Sequence, residues 1–141
     1  MHGAPGPDVR THLGLDHRLC GQPLSVGEGA AEVAFEALPE MAADERGLVH
    51  GGFVFGLADH AAMLAVNDPH VVLGSAEIRF LKPVVVGEKL LARAVVEETD
   101  GRRSRVRAEV LRSGESADVV MAGTFLCFTL ERHVLDTGGK R

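Results

Sequence analysis

Between residues 51 and 67 the chain reads GGFVFGLADHAAMLAVN. The large apolar residues of this run, Phe53, Phe55, Leu57, Met63, Leu64 and Val66, fall on almost every side of a helical wheel. A helix that is apolar all round has to be buried. At ~1.5 Å of rise per residue it is roughly 25 Å long, so whatever buries it must be large enough to wrap it. Gly56, Ala58, Ala61, Ala62 and Ala65 are small and let neighbouring backbone come close. Asn67-Asp68-Pro69 marks the end of the helix, because Pro69 disfavours helical backbone at the residue before it.

The rest of the chain supplies strands. Residues 32–38 alternate, with Val33, Phe35 and Ala37 on one face. A polar loop over 39–46 leads to the helix. Beyond it, residues 71–81 form a strand ended by Pro83, and 88–99 form another. Asp100-Gly101 signals a hairpin turn. Residues 103–112 alternate, Val106, Ala108 and Val110 against Arg105, Arg107 and Glu109. Ser113-Gly114-Glu115 makes a further turn before a long apolar strand over 119–130. One buried helix followed by an antiparallel meander predicts an α+β domain, a curved sheet wrapped around the helix. With 141 residues there is room for one such domain. We place it over residues 11–135, between Gly- and Pro-rich or polar tails at 1–10 and 136–141. A single sheet covers only part of the helix, so the remaining apolar surface predicts a homodimer.

Composition removes several functions. Fifteen basic and 20 acidic residues leave a net charge of −5, which excludes a sequence-wide attraction to nucleic acid. Trp and Tyr are absent, and with them tyrosine general acids, aromatic cages and most base-stacking platforms. The two cysteines, Cys20 and Cys127, match no metal motif and are expected to be reduced and structural. The histidines show no ligand spacing, and there is no G-x-S-x-G elbow and no phosphate loop, so neither a metal nor a cofactor is expected. The N-terminal MHGAPGPDVR lacks the apolar core of a signal peptide. The apolar run 53–66 is too short to span a bilayer and is interrupted by Asp59 and His60. A soluble cytoplasmic protein without membrane contact is expected.

Chemistry concentrates in Val49-His50-Gly51-Gly52-Phe53-Val54-Phe55-Gly56-Leu57-Ala58-Asp59. His50-Gly51-Gly52 stands where the helix begins, and the free N–H groups there, backed by the helix dipole, suit a partly negative oxygen. Glycine lets a carbonyl approach that backbone. Asp59 is the only carboxylate in the apolar run. Burial raises a carboxyl pKa toward the range of a general base. Each feature alone has a plainer reading: a turn, a loop histidine, a structural aspartate. Together on one buried helix they point to a site.

The string HGGFVFGLAD resembles the acyl-CoA thioesterases of the HotDog fold, most closely the phenylacetate-pathway group. Ile78-Arg79-Phe80-Leu81-Lys82-Pro83 and Gly87-Glu88 resemble that family's strand–Pro–Gly-acid segment, so the likeness runs over about residues 45–130. The resemblance implies a long central helix wrapped by a curved sheet. It implies a homodimer, as a dimer of dimers, acting on an acyl-CoA substrate. It places the carbonyl-polarising N–H on Gly51 and the general base or nucleophile on Asp59, with His50 and Gly52 shaping the loop. Many members carry a Ser or Thr about ten residues before the proline. That position falls near Leu73, with Ser75 two residues on as the substitute candidate. The stretch Gly74-Ser75-Ala76-Glu77-Ile78-Arg79-Phe80 also resembles HotDog effector domains that sense malonyl-CoA without catalysis. Those generally lack the helix carboxylate. The HotDog dehydratases pair an Asp and a His differently. CoA phosphates have competing partners in Arg79, Lys82 and the cluster Arg102, Arg103, Arg105 and Arg107, whose plainer reading is a solvated strand face. Phe53, Phe55, Met63 and Phe80 divide between core and an apolar acyl pocket of modest size.

Overall fold

Strand alternation decides which residues meet the helix, and the computed structural model, which describes residues 7–114 and 117–137, follows it closely. Short helix α1 (His17–Cys20) precedes strands β1 (Gln22–Gly27) and β2 (Ala30–Glu36). A 3-10 turn at Pro39–Met41 leads to the long helix α2 (Gly51–Val66). Strands β3 (Val71–Phe80), β4 (Lys89–Asp100), β5 (Arg103–Arg112) and β6 (Val119–Thr129) follow, and then the short α3 (Val134–Thr137). The sheet runs β1-β2-β4-β5-β6-β3, antiparallel at every step. This is the helix-in-curved-sheet, α+β architecture that the sequence predicts.

Leu57, Ala58, Ala61, Ala62, Met63 and Leu64 of α2 are fully buried. They lie among Val33, Leu90, Ala92, Val106, Ala108, Val110, Met121 and Phe125 from the inner faces of β2, β4, β5 and β6. Phe55 packs its ring on Phe125 at 5.6 Å between centroids. Gly21, at φ +96°, joins α1 to β1 where a side chain has no room: a Cβ would come within 2.6 Å of Val33 Cγ1.

The helix ends at the expected Asn67-Asp68-Pro69 stop, with Asn67 as its cap. Asn67 takes the left-handed conformation (φ 54°, ψ 38°) and its N–H donates to the Met63 carbonyl at 2.8 Å. The strand expected over 32–38 starts earlier and stops at Glu36, although Ala37 stays buried. Strand β1, ahead of it, has no clean alternation to announce it: Pro23 stands in it, and the register slips between Pro23 and Ser25. An edge position makes the proline tolerable. Asn67 also receives the incoming chain, donating to the Asp8 carbonyl and accepting from the Arg10 N–H, both at 2.9 Å. Residues 1–6 and 138–141 of the expected tails, and Glu115 of the expected turn, lie outside the described residues. Among the described residues, no helix is long and apolar enough to cross a membrane. On its outer side, β3 carries no neighbouring strand among the described residues.

Candidate active site

The start of α2 is fixed by backbone bonds before any functional side chain appears. Val49 N–H donates to the Val84 carbonyl at 2.8 Å and His50 N–H to the Met41 carbonyl at 2.9 Å. His50 occupies the N-cap in an extended conformation, and its side chain makes no capping bond. The first-turn N–H groups of Gly51 and Gly52 precede any helical acceptor and so are left for a ligand. The glycines have separate reasons. A Cβ on Gly52 would come 3.0 Å from His50 Nε2, and one on Gly51 would meet the Phe80 ring at 3.3 Å. Beside Gly51 opens a groove of about 260 Å³ lined by Leu48, Val54, Phe80, Leu81, Lys82 and Val84.

Asp59 sits two turns further along the helix. Its Oδ1 is buried and has no hydrogen-bond partner, the only such side-chain atom among the described residues. Burial pushes its pKa from 3.8 up to about 6. Its charge reaches Cys20 and Cys127, both free thiols. Burial, aided by that charge, pushes the Cys127 thiol up to about 12, so it stays protonated and unreactive. Within one chain Asp59 and Gly51 are separated by roughly 12 Å of helical rise.

Register decides the other candidates. Phe125 and Cys127 of β6 face the helix, so Leu126 between them faces out. Leu73 pairs with Cys127, whereas Ser75, beyond a bulge, pairs with Leu126. Ser75 is therefore on the face of the sheet turned away from the helix. Arg79 shares that outer face, in a depression of about 380 Å³ with Glu77, Arg107 and Thr124. It does not line the groove at Gly51.

Lys82 does line the groove, and its Nζ pairs with Asp118 at 3.5 Å. Asp118 also takes Arg112, whose guanidinium binds Glu88 and the Pro83 carbonyl. Glu88 Oε1 accepts the Val85 N–H at 2.8 Å. The Pro83…Gly87-Glu88 segment is thus a clamp that holds Lys82 at the groove. Sequence reasoning missed Arg112 and Asp118, because Glu88, Pro83 and Lys82, which they hold, are distant in the chain. Of the basic cluster, Arg102 pairs with Glu131, Arg105 with Glu97 and Glu98, and Arg107 with Glu109. Met63 and Phe55 pack into the core, Phe53 packs edge-on against His50, and Phe80 alone of the four lines the groove.

A family model described as the thioesterase superfamily matches residues 46–117. An uncharacterized protein, PH1136, from Pyrococcus horikoshii is 54% identical, with 92% of this chain and 97% of that one covered at a TM-score of 0.87. A mutant of the phenylacetic acid degradation protein PaaI from Thermus thermophilus is 33% identical over 79% of this chain and 95% of that one, at a TM-score of 0.70. The methylthioribose-1-phosphate isomerase of Aquifex aeolicus is 49% identical over 84% of this chain, and transcription factor FapR of Shouchella clausii is 30% identical over 67%. The chain spans 25% of the first of these relatives and 48% of the second, so both names describe longer proteins.

Proposed function

Because the chain belongs to the thioesterase superfamily, with the HotDog arrangement of helix and sheet, we propose that it is an acyl-CoA thioesterase acting as a homodimer. The observation that carries this reading is Asp59: a carboxylate with one oxygen buried and unpartnered, on the helix whose first turn presents Gly51. The Gly51 N–H donates to the thioester carbonyl oxygen and holds the negative charge that develops there, a role whose loss typically costs ~10²–10³ in rate. Asp59 takes a proton from water, whose oxygen bonds the carbonyl carbon as the C–S bond breaks, and the thiolate of CoA is protonated as it leaves. Direct attack by Asp59, with hydrolysis of the resulting anhydride, has the same balance. Neither route draws on a cofactor.

One helix cannot put Gly51 and Asp59 on the same carbonyl, since a reacting carbonyl lies about 3 Å from its donor and close to the attacking group. Two copies of α2, antiparallel about a two-fold axis, bring Asp59 of one chain to Gly51 of its partner. The open edge of β3 and the exposed Leu48, Phe80, Leu81 and Val85 support such a pairing. Thiol release from a panel of acyl-CoAs tests the reading. Turnover of medium-chain or arylacetyl thioesters is expected, and Asp59→Asn should lower it ~10²–10⁴-fold. A folded Asp59→Asn variant with wild-type turnover overturns the catalytic assignment.

The similarity to FapR favours a second reading, a non-catalytic acyl-CoA-binding protein. Binding of acyl-CoA without thiol release from any member of the panel would select it.

A further inference from the structure

Three walls of the groove beside Gly51 are fixed by the core: Val49, Val54 and Val84 are all buried. Leu81 and Lys82 stand at its exposed rim. Phe80 differs from both sets. Its backbone is the last position of β3, paired with buried Met121 of β6, yet its side chain is 56% exposed. The ring is turned onto the start of α2, where Cε1 and Cζ lie 3.3 and 3.4 Å from the place a Cβ on Gly51 would take. The absence of that Cβ is what lets the ring descend onto the first turn. No other side chain of the lining comes as near to that place.

On the thioesterase reading, we propose that Phe80 is the specificity-determining residue, its ring setting the bulk of the acyl group accepted. A carbonyl bound by the Gly51 N–H must carry its acyl chain past this ring. The groove of about 260 Å³ falls below the ~300–1,000 Å³ of sites that enclose a drug-sized ligand. Within one chain it therefore bounds the part of the acyl group next to the carbonyl, and the Phe80 ring forms its wall there. Removing the ring widens the groove beside Gly51 and admits longer or branched acyl groups. A single methylene of fit in an apolar pocket is worth ~10–200-fold in discrimination, and Phe80→Ala changes the wall by much more than that.

The experiment compares wild type, Phe80→Leu and Phe80→Ala on acetyl-, butyryl-, hexanoyl-, decanoyl- and phenylacetyl-CoA, reading kcat/KM by thiol release. In parallel, calorimetry measures binding of the corresponding non-hydrolysable acyl-CoA thioethers. Phe80→Ala is expected to shift the decanoyl-to-butyryl ratio at least about tenfold toward decanoyl, with Phe80→Leu between it and wild type. Ratios unchanged in both assays, in variants whose circular dichroism and melting match wild type, overturn the proposal while leaving the thioesterase reading intact. If Phe80→Ala is poorly folded, the shift in Phe80→Leu decides. A wild type that binds the thioethers but releases no thiol overturns the thioesterase reading, and the thioether ratios then decide whether Phe80 limits acyl bulk. A wild type that neither binds nor hydrolyses overturns both.

Discussion

Asp59, half-buried with its Oδ1 enclosed, and the buried His60 are adjacent, and their chemistries respond to acid in opposite directions. Burial holds the Asp59 pKa at about 6, above the 3.8 of an exposed carboxyl. The folded chain therefore binds this proton more tightly than the unfolded one. The stability it contributes is complete below pH 3.8 and lost as pH rises through 6. Removing the charge should then stabilise the protein where the charge is present. Asp59→Asn is expected to melt a few degrees above wild type at about pH 7.5, and the difference should shrink toward about pH 4, as scanning calorimetry across that range would record. The same shift fixes the kinetics. A base that works as the carboxylate predicts a kcat/KM that climbs about tenfold per pH unit below 6 and levels above it. A flat profile from about pH 5 to 8 in the wild type would mean that Asp59 is not titrating in the rate-limiting step.

Helices α1 and α2 are joined through His60. It is 1% exposed, its Nδ1–H donates to the Cys20 carbonyl at 2.9 Å, and its ring stacks on His17 at 6.2 Å. Burial lowers its pKa from 6.5, so it is held neutral, and the stability of this contact falls as pH drops below 6.5. His60→Ala leaves a buried carbonyl without its donor, at a cost of about 1–3 kcal/mol before any cavity is counted. Urea denaturation at about pH 8 would measure this, and a loss of less than about half a kcal/mol would remove His60 from the account of how α1 is held. The elements also show where legibility stops. Helix α2 can be read because its apolar residues cover the whole wheel, and β5 because Val106, Ala108 and Val110 keep strict alternation. Strand β1 cannot, since a proline and a register slip erase the period. The face that Ser75 takes is illegible for the same reason. The bulge between Leu73 and Ser75 turns every later side chain of β3 over, and nothing in the string GSAEIRF announces it. Gly51 and Asp59 are visible because their spacing is local. Within the clamp, the bond from Arg112 to Glu88 is not, because it joins residues 24 apart that are neighbours only in space.

On the proposed mechanism, a single chain cannot bring Asp59 and Gly51 to one carbonyl. Asp59 lies roughly 12 Å up the helix from Gly51, and its buried oxygen finds no donor among the described residues of its own chain. If the donor and the carbonyl it polarises come from the start of the partner's helix, each dimer has two equivalent sites, each built from one chain's Asp59 and the other's Gly51. Complementation separates this from two self-contained sites. Asp59→Ala and Gly51→Val are each expected to be inactive as homodimers, the second because a branched side chain there crowds the Phe80 ring and the space a carbonyl must enter. Unfolded together and refolded, the two form heterodimers in which one site has both groups intact and the other has both altered. For equal amounts and random pairing, about half the dimers are mixed and half of their sites are restored, so activity should return to about a quarter of wild type. Heterodimers demonstrated by differently tagged chains, yet without recovered activity, would place the whole site within one chain, and the gap of roughly 12 Å would then have to be closed by some other group.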